Sequence, residues 1–236
     1  MSIRHLILVT GLLVVLTLPV KAQDSGALQA IRSGNGLVAQ GRYELAIKQF
    51  ENVTARDGDA YAQATYNIGV CYFELYLTDK ALGFFERAIE LNRGNYPRAS
   101  YALGVALEEQ NRLSEAVEAY KQAMRSSHGE FAAATFRRGV IAAKDGQIEK
   151  AADLFRDASK HPGPQVPNSL NNLGVMLARM GKLDEAEKQF ANALRQTGGA
   201  FGQAEHNLQL CRSLLVSAAN RTLFADLKLA SIDPTR

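Results

Sequence analysis

Along most of this chain the apolar residues fall on two alternating helical stripes, and the pair of stripes repeats every 35 residues. The first stripe is centred on a glycine. Gly34, Gly69, Gly104, Gly139 and Gly174 lie one period apart, with Ile68, Leu103 and Leu173 just before and Leu37, Tyr72, Leu107, Ala142 and Leu177 three residues after. The second stripe is built on Ala46, Ala81, Ala116, Ala151 and Ala186, each followed four residues on by Phe50, Phe85, Tyr120, Phe155 or Phe190. Spacings of three and four put such residues on one face of a helix. Each period therefore predicts a pair of amphipathic helices. Five pairs must stack, because an isolated pair has nothing on which to bury its apolar face.

The polar positions between the stripes supply the punctuation. Gly41, Asn111, Gly146 and Gly181 stand where a left-handed residue would end the first helix and reverse the chain, and Tyr76 departs from that rule in the second unit. Glu44, Asp79, Ser114, Glu149 and Asp184 open the second helices, where carboxylates and hydroxyls are expected to satisfy free backbone N–H groups. Turn-rich segments such as Asp57-Gly58-Asp59 and His161-Pro162-Gly163-Pro164 join the units, and Pro97 and Pro167, two periods apart, suit the first turn of an opening helix. A sixth opening helix follows, since Asn207-Leu208-Gln209 falls one period after Asn172-Leu173-Gly174, but Arg221 stands where the alanine belongs. Residues 199–230 are accordingly read as capping helices, with Leu208, Leu210, Leu214, Leu215, Leu223, Phe224 and Leu227 covering the open end, and 231–236 as a loose tail.

At the other end, Arg4 and His5 precede the apolar run Leu6 to Leu18, and Val20-Lys21-Ala22 places small side chains at minus three and minus one. This reads as a cleavable export signal, residues 1–22. The run, interrupted by Thr10, Gly11 and Thr17, falls short of the roughly 20 apolar residues a bilayer span takes. No integral membrane span is expected after cleavage.

A chain that is 47% hydrophobic and 22% charged has the composition of a globular protein. Its net charge of +3 falls to +1 once Arg4 and Lys21 leave with the signal, so charge gives no argument for nucleic acid. Cys71 and Cys211 share one repeat position four units apart, and at roughly 8–10 Å per helix step they are too distant for an intramolecular disulfide. A small buried apolar role fits both. None of His128, His161 and His206 pairs with another at metal spacing, Gly34-Asn35-Gly36 lies in a helical pattern without a preceding strand, and the adjacent carboxylates Glu108 and Glu109 lack a candidate nucleophile. No catalytic residue, cofactor or metal site is assigned, and the chain is not read as an enzyme.

Two units carry the pattern most fully: Asn67-Ile68-Gly69, Tyr72, Ala81, Phe85 and Ala88 in the second, and Asn172-Leu173-Gly174, Leu177, Ala186, Phe190 and Ala193 in the fifth. In these residues the chain resembles the tetratricopeptide repeat family over 27–198, departing from it in having no tryptophan and in Ser33 and Arg138 at usually apolar positions. The resemblance implies an all-α fold, a right-handed superhelical solenoid of about five helix-turn-helix repeats over residues 23–198.

It also implies a concave groove lined by the first helices, in which a polypeptide partner lies. Three residues before each glycine stand Tyr66, Tyr101 and Phe136, expected to form an aromatic ladder, followed by Asn171 and His206. One residue after the glycine stand Val70, Val105, Val140 and Val175, and four or five after stand Phe73, Glu108, Glu109, Lys144 and Arg179, so charge changes sign along the groove. Helix-to-helix packing explains the valines equally well. Family members that clamp a partner's terminal carboxylate use Lys and Asn where this chain has Tyr66 and Val70, so that clamp is not expected. Export signal and repeat array together point to an interaction scaffold of a bacterial envelope complex, most naturally periplasmic. An accessory regulatory subunit of an envelope enzyme is the alternative.

Overall fold

The computed structural model describes residues 26–129, 131–216 and 226–230, so the expected export signal at 1–22 and the tail at 231–236 lie outside the described residues. Eleven α-helices and one 3-10 turn (Ala55–Asp57) occupy the described residues. They pair as the 35-residue period requires: α1 (Gly26–Val38) with α2 (Tyr43–Phe50), α3 (Asp59–Glu74) with α4 (Thr78–Leu91), α5 (Pro97–Glu109) with α6 (Leu113–Ser126), α7 (Ala132–Lys144) with α8 (Ile148–Ala158), and α9 (Val166–Arg179) with α10 (Leu183–Gln196). Then α11 (Gly202–Val216) packs on the fifth pair. Neighbouring first helices also touch one another, α1 with α3, α3 with α5 and α9 with α11, whereas second helices make no comparable contact among themselves. The first helices thus form the tighter inner layer of a right-handed solenoid and the second helices the outer one.

Each first helix ends in the same closure. Gly41, Tyr76, Asn111, Gly146 and Gly181 all take positive φ, and the next N–H reaches back five residues: Arg42 to Leu37, Leu77 to Tyr72, Arg112 to Leu107, Gln147 to Ala142 and Lys182 to Leu177, each at 2.9 Å. This bond and its companion satisfy carbonyls left open at the helix end. Tyr76, which lacks the expected glycine, adopts the same left-handed turn at φ 58° with its ring 89% exposed. The expectation for the opening acids needs correction. Residues Arg42, Leu77, Arg112, Gln147 and Lys182 occupy the cap positions and make no side-chain cap bond, so Glu44, Asp79, Ser114, Glu149 and Asp184 lie inside the first turn rather than at the cap. The four acids favour the helix start through their charge, and Asp79 also accepts a hydrogen bond from Gln110 at 2.6 Å.

The recurring spacing of glycine and aromatic has a direct structural cause. A Cβ on Gly69, Gly104, Gly139 or Gly174 would lie 2.5–2.7 Å from the ring of Phe85, Tyr120, Phe155 or Phe190, sixteen residues later on the paired helix. Gly34 and Phe50 meet in the same way. Every one of these rings is buried, as are Ala46, Ala81, Ala116, Ala151 and Ala186 beside them. The ring occupies the space a side chain would need, so the helices of a pair lock at one height and one separation.

Capping is achieved by fewer helical residues than the sequence suggests. Leu208 and Leu214 of α11 are buried, Leu210 is half-buried and Leu215 is exposed, while Leu223 and Phe224 lie outside the described residues. Residues 227–230 are not helical; Leu227 and Ala230 are nevertheless buried against the fifth unit. No helix among the described residues is long and apolar enough to cross a membrane.

Candidate polypeptide-binding groove

The inner face of α3 and α5 carries the most accessible part of the expected site. Tyr66, Val70 and Phe73 from α3 and Tyr101 and Val105 from α5 surround a recess of about 350 Å3, completed by Glu74, Arg98 and Phe131. Its aromatic walls are built between units: Tyr66 meets Tyr96 at 5.4 Å between ring centroids and Phe85 at 5.9 Å, and Tyr101 meets Phe131 at 5.2 Å and Tyr120 at 5.6 Å. Such tilted pairs are favoured by the ring quadrupoles. Burial raises the pKa of the Tyr66 phenol, with Arg98 acting the other way, and pushes Tyr96 up to about 12, so both hydroxyls remain neutral donors at ordinary pH.

Beyond Val105 the groove becomes polar. A second recess of about 240 Å3 is bordered by Glu108, Glu109, Arg137 and Lys144. Glu108 accepts a hydrogen bond from the Tyr120 hydroxyl at 2.9 Å and faces Arg137 at 3.7 Å and Lys144 at 4.0 Å. The change of charge between α5 and α7 is therefore used, at least in part, to hold those helices together. Glu109 projects further out; its pKa is raised by partial removal from water and then by the negative charge of Glu74, with Arg137 opposing. Two carboxylates held near one another, Glu74 and Glu109, favour an incoming cation through their shared negative charge.

Four expected groove residues are placed differently. Phe136 and Val175 are completely buried and Val140 nearly so, all in the cluster that also contains Leu227, and none of the three lines either recess, whereas Val105, as buried as Val140, borders both. Phe136 packs on Phe155 at 5.6 Å, as Tyr101 packs on Tyr120, but unlike Tyr101 it has no accessible surface. The aromatic ladder thus has two accessible rungs rather than three. Arg179 is exposed at the end of α9, away from either recess. Sequence reasoning also missed Tyr96, Arg98 and Phe131. The register could have found two of them, since Tyr61, Tyr96, Phe131 and Phe201 are spaced by whole periods, with Val166 at the remaining step.

A family model of the tetratricopeptide repeat matches residues 31–97, 79–130, 101–167 and 137–201. The chain belongs to the tetratricopeptide repeat family. No curated protein matches it in sequence. Among solved structures it is similar to MamA residues 41 to end from Desulfovibrio magneticus RS-1 (TM-score 0.60, 19% identity, 76% of this chain and 99% of that one). It is similar also to YrrB, described as a tetratricopeptide protein with an unusual peptide-binding site (TM-score 0.57, 22% identity, 76% and 90%). A third, TTC0263 of Thermus thermophilus, matches with TM-score 0.53 and 25% identity over 81% of this chain and all of that one. These likenesses establish the fold. Tetratricopeptide arrays are in general non-enzymatic scaffolds for protein–protein interaction.

Proposed function

We propose that this protein is an exported interaction scaffold that holds an apolar polypeptide segment in the recess between α3 and α5, in the assembly of a bacterial envelope complex. The observation that carries the reading is the recess itself. Its volume of about 350 Å3 lies in the ordinary range for ligand pockets, roughly 300–1,000 Å3, and its walls combine half-buried aromatics with few charged groups. Tyr and Phe contribute large contact areas at small entropy cost, which suits them to anchoring a segment. The acidic rim formed by Glu74 and Glu109 favours a partner with a basic residue beside its apolar anchor. Support for export comes from the apolar N-terminal run followed by Val20-Lys21-Ala22.

A photo-reactive residue placed at Val70 or Phe73 should capture the same native-host protein in both cases, and one placed at Glu86 on the outer helix should not. Alanine at both Tyr66 and Tyr101 should abolish that adduct while leaving helicity unchanged. Capture that is equal from the outer helix, or indifferent to the double substitution, refutes the groove as the site. Export is checked separately by fractionation and by N-terminal sequencing, which should read from Gln23.

A further inference from the structure

The buried polar groups of α9 and α11 point to a site distinct from the recess between α3 and α5. Asn171, Asn172 and Asn207 are fully buried, and together they grip the backbone of residues 228 and 230. The Asn207 amide donates to the Lys228 carbonyl at 2.8 Å and its oxygen accepts the Lys228 N–H at 2.9 Å. Asn172 does the same for Ala230, donating at 2.8 Å and accepting at 2.6 Å. Asn171 adds a bond to the Lys228 carbonyl at 3.0 Å, donates to Asn172 at 3.1 Å and accepts from Asn207 at 2.9 Å. Asn172 and Asn207 occupy the same repeat position on adjacent first helices, one period apart, and read residues two apart. In an extended strand, residues two apart present their N–H and C=O groups on the same edge, roughly 6.6 Å from each other. The asparagines therefore imitate the edge of a neighbouring strand.

Such a device reads no side chain at its polar edge. Selectivity comes from the apolar contacts, where Leu227 is buried and Leu229 half-buried in the cluster that also contains Phe136 and Val175. Asn171 stands at the inner-face position that Tyr66 and Tyr101 hold in earlier units, so the segment lies along the same face as the open recess. Three facing amides would be costly to bury without backbone to complete them. Asn67, at the equivalent position of the second unit, is half-buried and donates instead to Asn35 at 3.1 Å.

We propose that Asn171, Asn172 and Asn207 form a backbone-reading peptide site for extended, leucine-bearing segments, and that residues 227–230 are its resident occupant, exchangeable for a partner's segment of the same chemistry. The resident competes from the same chain, where tethering gives an effective concentration on the order of millimolar. A free peptide must overcome that advantage, so the site opens only to a partner presented at high local concentration or after the resident is unseated.

Two measurements on the full chain test this. A labelled peptide copying residues 224–232 is titrated by fluorescence anisotropy against the parent protein and the Leu227→Asp variant. The variant should bind at least tenfold more tightly than the parent, Asn207→Ala added to it should remove the gain, and a peptide with its leucines replaced by aspartate should bind neither. Native-state hydrogen exchange of the unaltered protein needs no weakened variant: the Lys228 and Ala230 amides should exchange slowly and quicken when the peptide is added in excess. Equal binding by parent and variants, or amides that ignore the peptide, overturns the proposal, the exchange result deciding alone if Leu227→Asp does not fold. A dimer in sedimentation that Leu227→Asp dissociates would place the segment in a second copy and overturn its residence in its own chain.

Discussion

Replacing Gly104 with alanine adds one methyl group to the middle of α5, where helix propensity alone would gain about 1 kcal/mol. The space is already taken: that Cβ would sit 2.5 Å from Tyr120 Cε1 and 2.7 Å from Cδ1. Ordinary carbon contacts begin near 3.5 Å, so the ring would have to retreat by about 1 Å. It has little room to do so, being fully buried and tied through its hydroxyl to Glu108 at 2.9 Å. Overpacking of this kind costs about 1–3 kcal/mol, and the size of the displacement puts this site in the upper half of that range. The net effect of Gly104→Ala is a loss of about 1–2 kcal/mol, or a fall in Tm of about 3–6 °C at this chain length. Gly83 supplies the control, since it lies in the interior of α4 and a methyl group added there would meet nothing within 4 Å; Gly83→Ala should raise stability by about 0.8–1 kcal/mol. Urea melts followed by circular dichroism measure both. A Gly104→Ala protein as stable as the parent would refute the steric account, as would a penalty that stays undiminished when the ring is shortened by Tyr120→Leu.

Other consequences follow from the same packing. Tyr76 holds a left-handed backbone at a cost of roughly 1–2 kcal/mol for a non-glycine residue, with almost nothing packed on its ring, so Tyr76→Gly should stabilise by about 0.5–1 kcal/mol after the added unfolded-state entropy of glycine. A thermal melt that falls instead would show that the ring makes an interaction worth more than the strain. Burial pushes the Cys71 thiol up to about 12 and the Cys211 thiol to about 11, so neither should react with a thiol reagent at pH near 8 until denaturant is added. Rapid labelling of the native protein refutes this. Glu109 has its pKa raised in the folded state, so the folded protein binds more protons than the unfolded one just above the ordinary carboxylate range, and this contribution to stability declines as pH rises through that window. Glu109→Gln should therefore raise Tm at neutral pH and lose its advantage as carboxylates protonate near about pH 4; an advantage independent of pH would mean that charge is not its cause.

The repeating architecture was open to reading because it depends on spacing. A glycine and an aromatic sixteen residues apart, repeated five times, already state which residue each ring must rest on, even though only the structure reveals that the contact excludes a Cβ. The left-handed closures were legible wherever glycine or asparagine marked them, and Tyr76 escaped because the same helix-closing hydrogen bonds hold it in a conformation its own propensity opposes. Phe136 illustrates a different limit. It shares its register with Tyr66 and Tyr101, but it is wholly buried in a cluster that gathers residues as distant in the chain as Leu208 and Leu227, which register alone does not reveal. The asparagine grip was likewise beyond local reading, for although Asn172 and Asn207 stand out as a matched pair, their partners are 58 and 21 residues away and are bound through backbone atoms that any sequence would supply.

The contact of each glycine with a ring on its own paired helix makes every unit self-fitting, and the tilted stacking of Tyr66 on Tyr96 and of Tyr101 on Phe131 repeats one junction from unit to unit. Length is then a modular variable. Excising 35 residues from the middle of the array, 97–131 for instance, would bring α4 against α7 across a junction of the kind that already exists, whereas a cut that is not a whole number of periods would bring mismatched faces together. The fifth unit and α11 resist such editing, because Asn171, Asn172 and Asn207 bind residues 228 and 230. The protein can thus change its reach by whole units from the inside while its terminus stays the same.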